Sequence, residues 1–109
     1  MSKAAAKFVN TLLHSATVTH IMHFQTRSYA AHIALNEFYE AIPDLVDAVA
    51  EAYQGKYGII TGYSDGDYKL AKDPVNYLQD LSSFVATNRD FCDDSEIQNL
   101  IDAIADQID

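Results

Sequence analysis

The sequence contains little cysteine and glycine, and it has no long uncharged apolar run. Its one cysteine, Cys92, excludes an internal disulfide and agrees with a reducing compartment, so we expect a cytoplasmic protein. No window approaches the ~18 apolar residues of a transmembrane helix. Polar Asn10, Thr11 and His14 interrupt the N-terminal stretch that a signal peptide would need. We therefore expect one domain over residues 1–109, with no membrane span.

Basic residues are also scarce. Seven Lys and Arg stand against sixteen Asp and Glu, which gives a net charge of −9. Nucleic-acid affinity comes largely from contacts of Lys and Arg to phosphates, so this balance predicts no appreciable binding to nucleic acid. It favours the attraction of cations instead.

The feature present throughout the sequence is helical periodicity. Apolar residues at steps of three and four predict helices over 4–25, 29–54, 74–91 and 95–108. Expected N-terminal caps of the last three helices are Ser28, Asp73 and Ser95. The pattern predicts an all-α four-helix bundle with a long crossover between the second and third helices and a short fourth helix.

The second helix carries two residues that disfavour a helix. Pro43 removes a backbone hydrogen bond, so we expect either a kink there or the start of a new helix. We favour the kink, because the apolar period continues through Pro43. Gly55 is predicted to end this helix as its C′ residue. All four glycines fall in the connection predicted over residues 55–73.

Polar residues follow the buried faces of the first two helices. The first stripe continues into two histidines and comprises Phe8, Leu12, Ala16, His20 and His23. The second helix has the apolar stripe Leu35, Tyr39, Ile42, Val46, Val49 and Tyr53. Beside it runs a polar line of His32, Asn36, Glu40, Asp47 and Glu51. A charged line next to a buried stripe is unusual for a face that only contacts solvent.

Four of these side chains form a candidate metal-ligand set, with successive spacings of 12, 15 and 4 residues: His20, His32, Asp47 and Glu51. The spacing of four places both carboxylates on one helix face, and the spacing of twelve places the imidazoles on neighbouring helices if the chain turns between them. Two imidazoles and two carboxylates suit iron, with zinc as another occupant. Additional candidate ligands are His23, Asn36 and Glu40.

Residues 19–58, THIMHFQTRSYAAHIALNEFYEAIPDLVDAVAEAYQGKYG, resemble the mini-ferritins. This family, also called DNA-binding proteins from starved cells, belongs to the ferritin-like superfamily. In it, a histidine of the second helix follows one of the first helix by twelve residues. An Asp-x-x-x-Glu lies fifteen residues further on. The four matching positions here are His20, His32, Asp47 and Glu51.

The resemblance implies a ferroxidase site shared between two subunits. His20 and His32 would come from one chain, and Asp47 and Glu51 from its two-fold mate. It also implies a hollow spherical oligomer that stores ferric iron. Helix geometry favours sharing, because fifteen residues separate His32 from Asp47 by about 22 Å along one helix. We expect at least a two-fold dimer through the first two helices.

The sequence departs from the family pattern at several positions. Ile21 follows His20 where the family usually has Trp, whereas the aromatic Phe24 follows His23. His23 is therefore an alternative counterpart, nine residues before the second-helix histidine. Asn36 stands where the family has an acid, and the basic tail that many members use for DNA is absent. The compact form and the AYQGKYG turn are more similar to small phage-encoded relatives.

Three functions remain open. An intact site makes the chain a ferroxidase-type oxidoreductase that oxidises Fe²⁺ with oxygen or peroxide and sequesters the product. The alternatives are a non-catalytic ferritin-like oligomer, in which the polar line is an interface, and a phage structural or interaction module. Without a metal, the same residues would be ordinary core histidines and a solvated acidic face.

Overall fold

Four α-helices dominate the computed structural model, which describes residues 2–65 and 69–109. They are α1 Lys3–Gln25, α2 Tyr29–Tyr57, α3 Pro74–Asn88 and α4 Ser95–Ile108, with a short 3-10 turn, Arg89–Phe91, after α3. Those two ranges contain no strand, which confirms the all-α prediction. The predicted helix boundaries agree with these to within three residues. No helix in the described part of the chain is long and apolar enough to span a bilayer.

The second helix continues without interruption through Pro43. It has 29 residues and a proline in its interior, so no new helix begins there. Proline has no N–H, and the carbonyl of Tyr39 therefore lacks its usual helical donor. Burial of apolar side chains on both sides of Pro43, including Ile42 and Val46, offsets this local loss.

The predicted end of α2 at Gly55 is wrong. The helix extends to Tyr57, and the glycine with a left-handed backbone is Gly58, at a φ of 95°. Its N–H bonds to the carbonyl oxygen of Gln54 at 3.0 Å. A glycine inside a helix costs only about 1 kcal/mol, so Gly55 does not force the helix to stop when residues beyond it still pack. Tyr53 is one such buried residue, and its ring lies 4.8 Å from that of Tyr57.

Side-chain caps explain where three helices begin. Ser28 and Asp73 accept first-turn N–H groups of α2 and α3, as predicted. The cap of α4 is Asp94 and not the predicted Ser95. Asp and Ser are both strong N-cap residues, so their neighbouring positions did not discriminate between the two starting points.

The connection between α2 and α3 runs beside α1. The Ser2 side chain hydrogen-bonds Thr61 at 2.9 Å near the start of α1. Ala71 packs on an apolar cluster towards the other end of that helix. The connection therefore crosses from one end of the α1–α2 hairpin towards the other. Part of the predicted connection, residues 66–68, lies outside the described residues.

The main core lies where all four helices meet. Its largest fully buried side chains include Phe8, Leu12, Ile42, Ile101 and Ile104. A smaller cluster nearer the α1–α2 turn consists of Val18, Met22 and Leu35. α3 and α4 have 15 and 14 residues, against 23 and 29 in α1 and α2, so they cover only part of the hairpin. The outer face of the hairpin is left for other contacts.

Candidate metal centre at the histidine corner

The turn between α1 and α2 brings histidines from both helices together. Ser28 caps α2 by accepting a first-turn N–H at 3.2 Å, and residues 26–28 reverse the chain. The two helices therefore pack against each other in opposite directions. His20 and His23 lie in the last two turns of α1, and His32 lies in the first turn of α2. We call these three side chains the histidine corner.

His23 and His32 hold each other through two reciprocal hydrogen bonds. Nδ1 of His23 lies 2.9 Å from the carbonyl oxygen of His32, and Nδ1 of His32 lies 3.2 Å from the carbonyl oxygen of His23. The rings stack, with centroids 3.7 Å apart and planes inclined by 23°. A carbonyl oxygen only accepts, so each Nδ1 carries the hydrogen. In the neutral rings, the lone pair consequently lies on Nε2.

The two Nε2 atoms have no hydrogen-bond partner in the described residues. Within the described residues, no buried side-chain nitrogen or oxygen lacks a hydrogen-bond partner. The Nε2 atoms of His23 and His32 have no such partner there, so neither atom is completely enclosed, although His23 as a whole is only 9% exposed. An Nδ1–H held by a backbone carbonyl fixes the tautomer and the ring direction, which is how many metal-binding histidines are oriented. Any metal bound by either ring would therefore be bound through Nε2.

The third histidine, His20, packs on an aromatic side chain instead of pairing with the α2 histidine. Its ring stacks on Tyr39, with centroids 4.0 Å apart and planes inclined by 12°. Phe24 lies against it at 4.8 Å. The Tyr39 hydroxyl donates to Oδ1 of Asn36 at 2.6 Å, and Nδ2 of Asn36 donates to Glu40 at 3.1 Å. The additional candidate ligands Asn36 and Glu40 are thus engaged with each other and with Tyr39.

The two carboxylates of the candidate set lie on the outer face of α2. Asp47 and Glu51 are exposed and one helical turn apart. Neither has a hydrogen bond or ion pair to any residue in 2–65 or 69–109. Fifteen residues along the same helix separate Asp47 from His32, a distance of about 22 Å. One chain therefore cannot bring these carboxylates to its own histidine corner.

A single chain does not assemble a full ligand set. Among the residues that the structure describes, no group of three or more His, Cys, Asp or Glu side chains could hold a metal ion. The corner offers the two Nε2 atoms of His23 and His32, and most divalent first-row metals take four to six ligands. The residues fit such a metal only if further ligands, such as carboxylates, come from another molecule.

The surface beside His32 suits an incoming carboxylate. A depression of about 300 Å³ lies there and is lined by Thr26, Arg27, Ser28, Tyr29 and His32. Arg27 is exposed and supplies a guanidinium, whose planar fork matches a carboxylate. None of the five lining residues is acidic. The depression is therefore complementary in charge to the acidic outer face of α2.

Two parts of the corner were not predicted. The sequence left open whether His20 or His23 is the counterpart of His32, and His23 is the one in contact. The position of the turn could have indicated this pairing. Arg27 is the central residue of the turn, and His23 and His32 lie four and five residues from it, so the two helices place them opposite each other. Tyr39 was expected in the buried stripe, but it is half-buried against His20, whereas the neighbouring Phe38 is buried.

The comparison with curated proteins finds a phage protein. Over 54 residues the chain is 35% identical to a protein of Enterobacteria phage T4, described as an uncharacterized 14.6 kDa protein in the mobD-ri intergenic region. The match covers 50% of this chain and 42% of the phage protein, so the chain spans less than half of that protein's length. A phage relative agrees with the similarity of the AYQGKYG turn to small phage-encoded proteins. No solved structure matches the chain.

The family comparison covers most of the chain. A model described as a family of unknown function (DUF5856) matches residues 23–109. The matched segment begins at His23 and includes His32, Asp47 and Glu51, together with α2, α3 and α4. The chain belongs to this family of unknown function, DUF5856.

Proposed function

We propose that the chain is a ferritin-like iron-binding protein that oxidises Fe²⁺ and sequesters the product at sites shared between two copies. The observation that carries the proposal is the tautomer of His23 and His32. Both Nδ1–H groups are held by backbone carbonyls, and neither Nε2 has a hydrogen-bond partner in the described part of the chain.

The remaining ligands in this proposal come from the outer face of α2. Asp47 and Glu51 of a second copy would complete a site that begins with His32 of the first. These carboxylates have no partner among the described residues of their own chain, so no existing ion pair must break. Imidazole nitrogen keeps affinity for Fe²⁺, and carboxylate oxygen binds Fe³⁺ tightly. The mixed set therefore accepts the substrate ion and retains the oxidised product.

The oxidation itself requires an external acceptor. Each Fe²⁺ gives up one electron, and oxygen or peroxide takes up these electrons with protons and leaves as water or peroxide. The chain's part is to hold the ion beside an open coordination position. The hydrogen bond at its Nδ1 favours His23 over His20 as the second nitrogen ligand, because that bond fixes the tautomer with the lone pair on Nε2.

A second candidate function is a non-catalytic ferritin-like oligomer or phage interaction module. The observation in its favour is the apolar character of the same region. Phe24 and Tyr29 are 73% and 78% exposed, and Leu13 and Ile33 are about 40% exposed. Side chains of this kind cluster at protein interfaces. In this alternative, the polar line of α2 is only the rim of the contact.

Anaerobic titration with Fe²⁺, followed by addition of peroxide, separates the two functions. We expect the parent protein to bind and oxidise Fe²⁺, with growth of ferric absorbance. His32→Asn should abolish this response. Asparagine places an N–H near the position of Nδ1 and so retains the bond to the His23 carbonyl, but it lacks Nε2. Glu51→Gln should have the same effect from the other half of the site.

Glu37→Gln is the matched control, because Glu37 is an exposed glutamate of the same helix outside the candidate set. It should leave Fe²⁺ binding and oxidation at the parental level. If His32→Asn and Glu51→Gln both oxidise Fe²⁺ as fast as the parent, the metal proposal is wrong. The oligomer alternative would then account for the polar line.

A further inference from the structure

The outer face of α2 carries a continuous acidic stripe. Glu40, Asp44, Asp47 and Glu51 recur at steps of four, three and four residues, which places them on one side of the helix. All four are exposed. Glu40 accepts a hydrogen bond from Asn36, and the other three have no partner in the described part of the chain. We call these four residues the α2 acidic stripe.

A shared site determines how two copies must meet. For His32 of each copy to reach Asp47 and Glu51 of the other, the two α2 helices must lie antiparallel. The two-fold axis then crosses α2 midway between these residues, near Glu40. Two-fold symmetry makes the contact reciprocal, so two identical sites form together. The same symmetry places the two Glu40 side chains close to each other.

Without a metal, this face has little to hold two copies together. Each chain has a net charge of −9, and the α2 acidic stripes face each other across the axis. Like charges so placed repel, and salt screens them only in part. The large apolar and aromatic side chains exposed around the histidine corner are Leu13, Phe24, Tyr29 and Ile33, at 40%, 73%, 78% and 41%. These four side chains alone do not supply the ~800 Å² per partner of a standard interface.

We propose that a divalent metal ion itself drives the pairing of two copies. This inference rests on the proposed function and adds its regulation. The metal neutralises Asp47 and Glu51 of one copy and joins them to the histidine corner of the other. By linkage, the metal raises the association constant of the dimer, and dimerisation raises the affinity for the metal. Metal availability would therefore decide whether the oxidation site exists at all.

Sedimentation velocity at micromolar protein tests the proposal directly. Zn²⁺ is the probe, because it takes nitrogen and oxygen ligands and has no redox chemistry. We expect a monomer in EDTA and a particle of twice the mass with Zn²⁺, with one ion bound per chain. A dimer of the same stability in EDTA would overturn the metal-driven assembly and leave the proposed function standing. Failure to bind either Zn²⁺ or Fe²⁺ would overturn both.

Mixing two defective variants tests whether the site is shared. One variant is His32→Asn, which retains its carboxylates. The other is Asp47→Asn with Glu51→Gln, which retains its histidines. Each alone should stay monomeric with Zn²⁺. In a mixed dimer, one site combines intact histidines with intact carboxylates, so the mixture should dimerise and bind one ion per pair. A mixture that behaves like its separate components would overturn the proposal.

Glu40→Gln separates repulsion from coordination. This change removes the facing charges at the axis and leaves His32, Asp47 and Glu51 in place. We expect it to lower the protein concentration needed for dimerisation in EDTA and to reduce the factor by which Zn²⁺ strengthens the dimer. If Glu40→Gln leaves association in EDTA unchanged, charge repulsion does not keep the copies apart and the proposed switch is wrong.

Discussion

The two ends of the α1–α2 hairpin are built on different physical principles. At the end covered by α3 and α4, the core is apolar, and Phe8, Ile42 and Ile101 are completely buried. At the histidine corner, the most buried polar residue is His23, whose ring nitrogen bonds to a carbonyl of the neighbouring helix. Apolar burial is strong and non-directional, whereas hydrogen bonds are weaker and fix a geometry. The first end therefore stabilises the fold, and the second orients chemical groups.

This division follows from helix length. α3 and α4 are about half as long as α2, so they cannot seal the whole hairpin. The smaller cluster of Val18, Met22 and Leu35 marks the transition between the two ends. Tyr77 of α3 packs against it, and burial raises the pKa of its phenol to about 12, so it stays neutral at physiological pH. Past this point lie His20, His23 and His32 of the histidine corner.

The largest expected effect on stability comes from removing a buried side chain at the end of the hairpin that α3 and α4 cover. Phe8→Ala should lower the free energy of unfolding by about 3–5 kcal/mol, because it removes a fully buried ring and leaves a cavity. The ring also loses contacts with Phe84 and Phe91, whose centroids lie 6.0 and 4.9 Å away. Urea denaturation followed by far-UV circular dichroism measures this loss. A domain is stable by only about 5–15 kcal/mol, so the variant should be close to unfolding.

Leu13→Ala is the control on the same helix, because Leu13 is 40% exposed. It should change the unfolding free energy by no more than about 0.5 kcal/mol. Equal losses in the two variants would show that the covered end is not the main source of stability. The two ends of the hairpin would then not differ in how much they stabilise the fold.

A smaller loss is expected at the histidine corner. His32→Leu removes one of the two reciprocal bonds and should cost about 1 kcal/mol. His32→Asn retains a donor near the Nδ1 position and should cost less. Urea midpoints distinguish the two variants, and amide hydrogen exchange in residues 20–32 should rise more in the leucine variant. Identical midpoints and exchange rates would mean that the bond to the His23 carbonyl does not hold the corner.

Local sequence predicted the helices better than it predicted the site. Helical stripes and the caps Ser28 and Asp73 involve residues within one or two turns, so the sequence contains all the information needed. The N-cap of α4, which is Asp94 and not Ser95, could not be predicted in this way. Asp94 also pairs with Lys56 at the end of α2, a residue far away in the chain. This second contact favours Asp94 over Ser95 as the cap. It joins residues that are distant in the sequence, so it cannot be predicted from the residues around the cap.

The site shows the same limit. The twelve-residue spacing led to His20 and His32, but ring contacts depend on how the turn sets the two helices against each other. That register brings His23 to His32 and leaves His20 on Tyr39. Whether Asp47 and Glu51 join them depends on a second copy. One chain's sequence gives the spacing of these ligands but not the contact, so their joint role stays a prediction.

The smallest expected effect concerns the polar link at the covered end. Lys56 pairs with Asp94, which caps α4. The hydrogen bond from Lys56 lowers the pKa of Asp94 below its ordinary 3.8, and the bond to Asp94 raises the pKa of Lys56 above its ordinary 10.5. The carboxylate's contribution is therefore present above pH 3.8 and is lost as the pH falls through its lowered pKa. The ammonium's contribution is present below pH 10.5 and is lost as the pH rises through its raised pKa.

Asp94→Asn and Asp94→Ala divide this link into charge and cap. Asparagine loses the charge but keeps an oxygen for the N–H of Ile97, which Asp94 now binds at 3.0 Å, whereas alanine loses both. At neutral pH we expect urea midpoints in the order parent, Asn, Ala, with a small first step because the Lys56 side of the pair is exposed. Added salt should shrink that step and leave the second unchanged, since screening weakens charges but not a short neutral hydrogen bond. The links of the histidine corner go to uncharged backbone carbonyls, so His32→Leu should show no comparable salt dependence. A salt-sensitive loss in His32→Leu would mean that charge holds both ends of the hairpin, and the distinction between them would disappear.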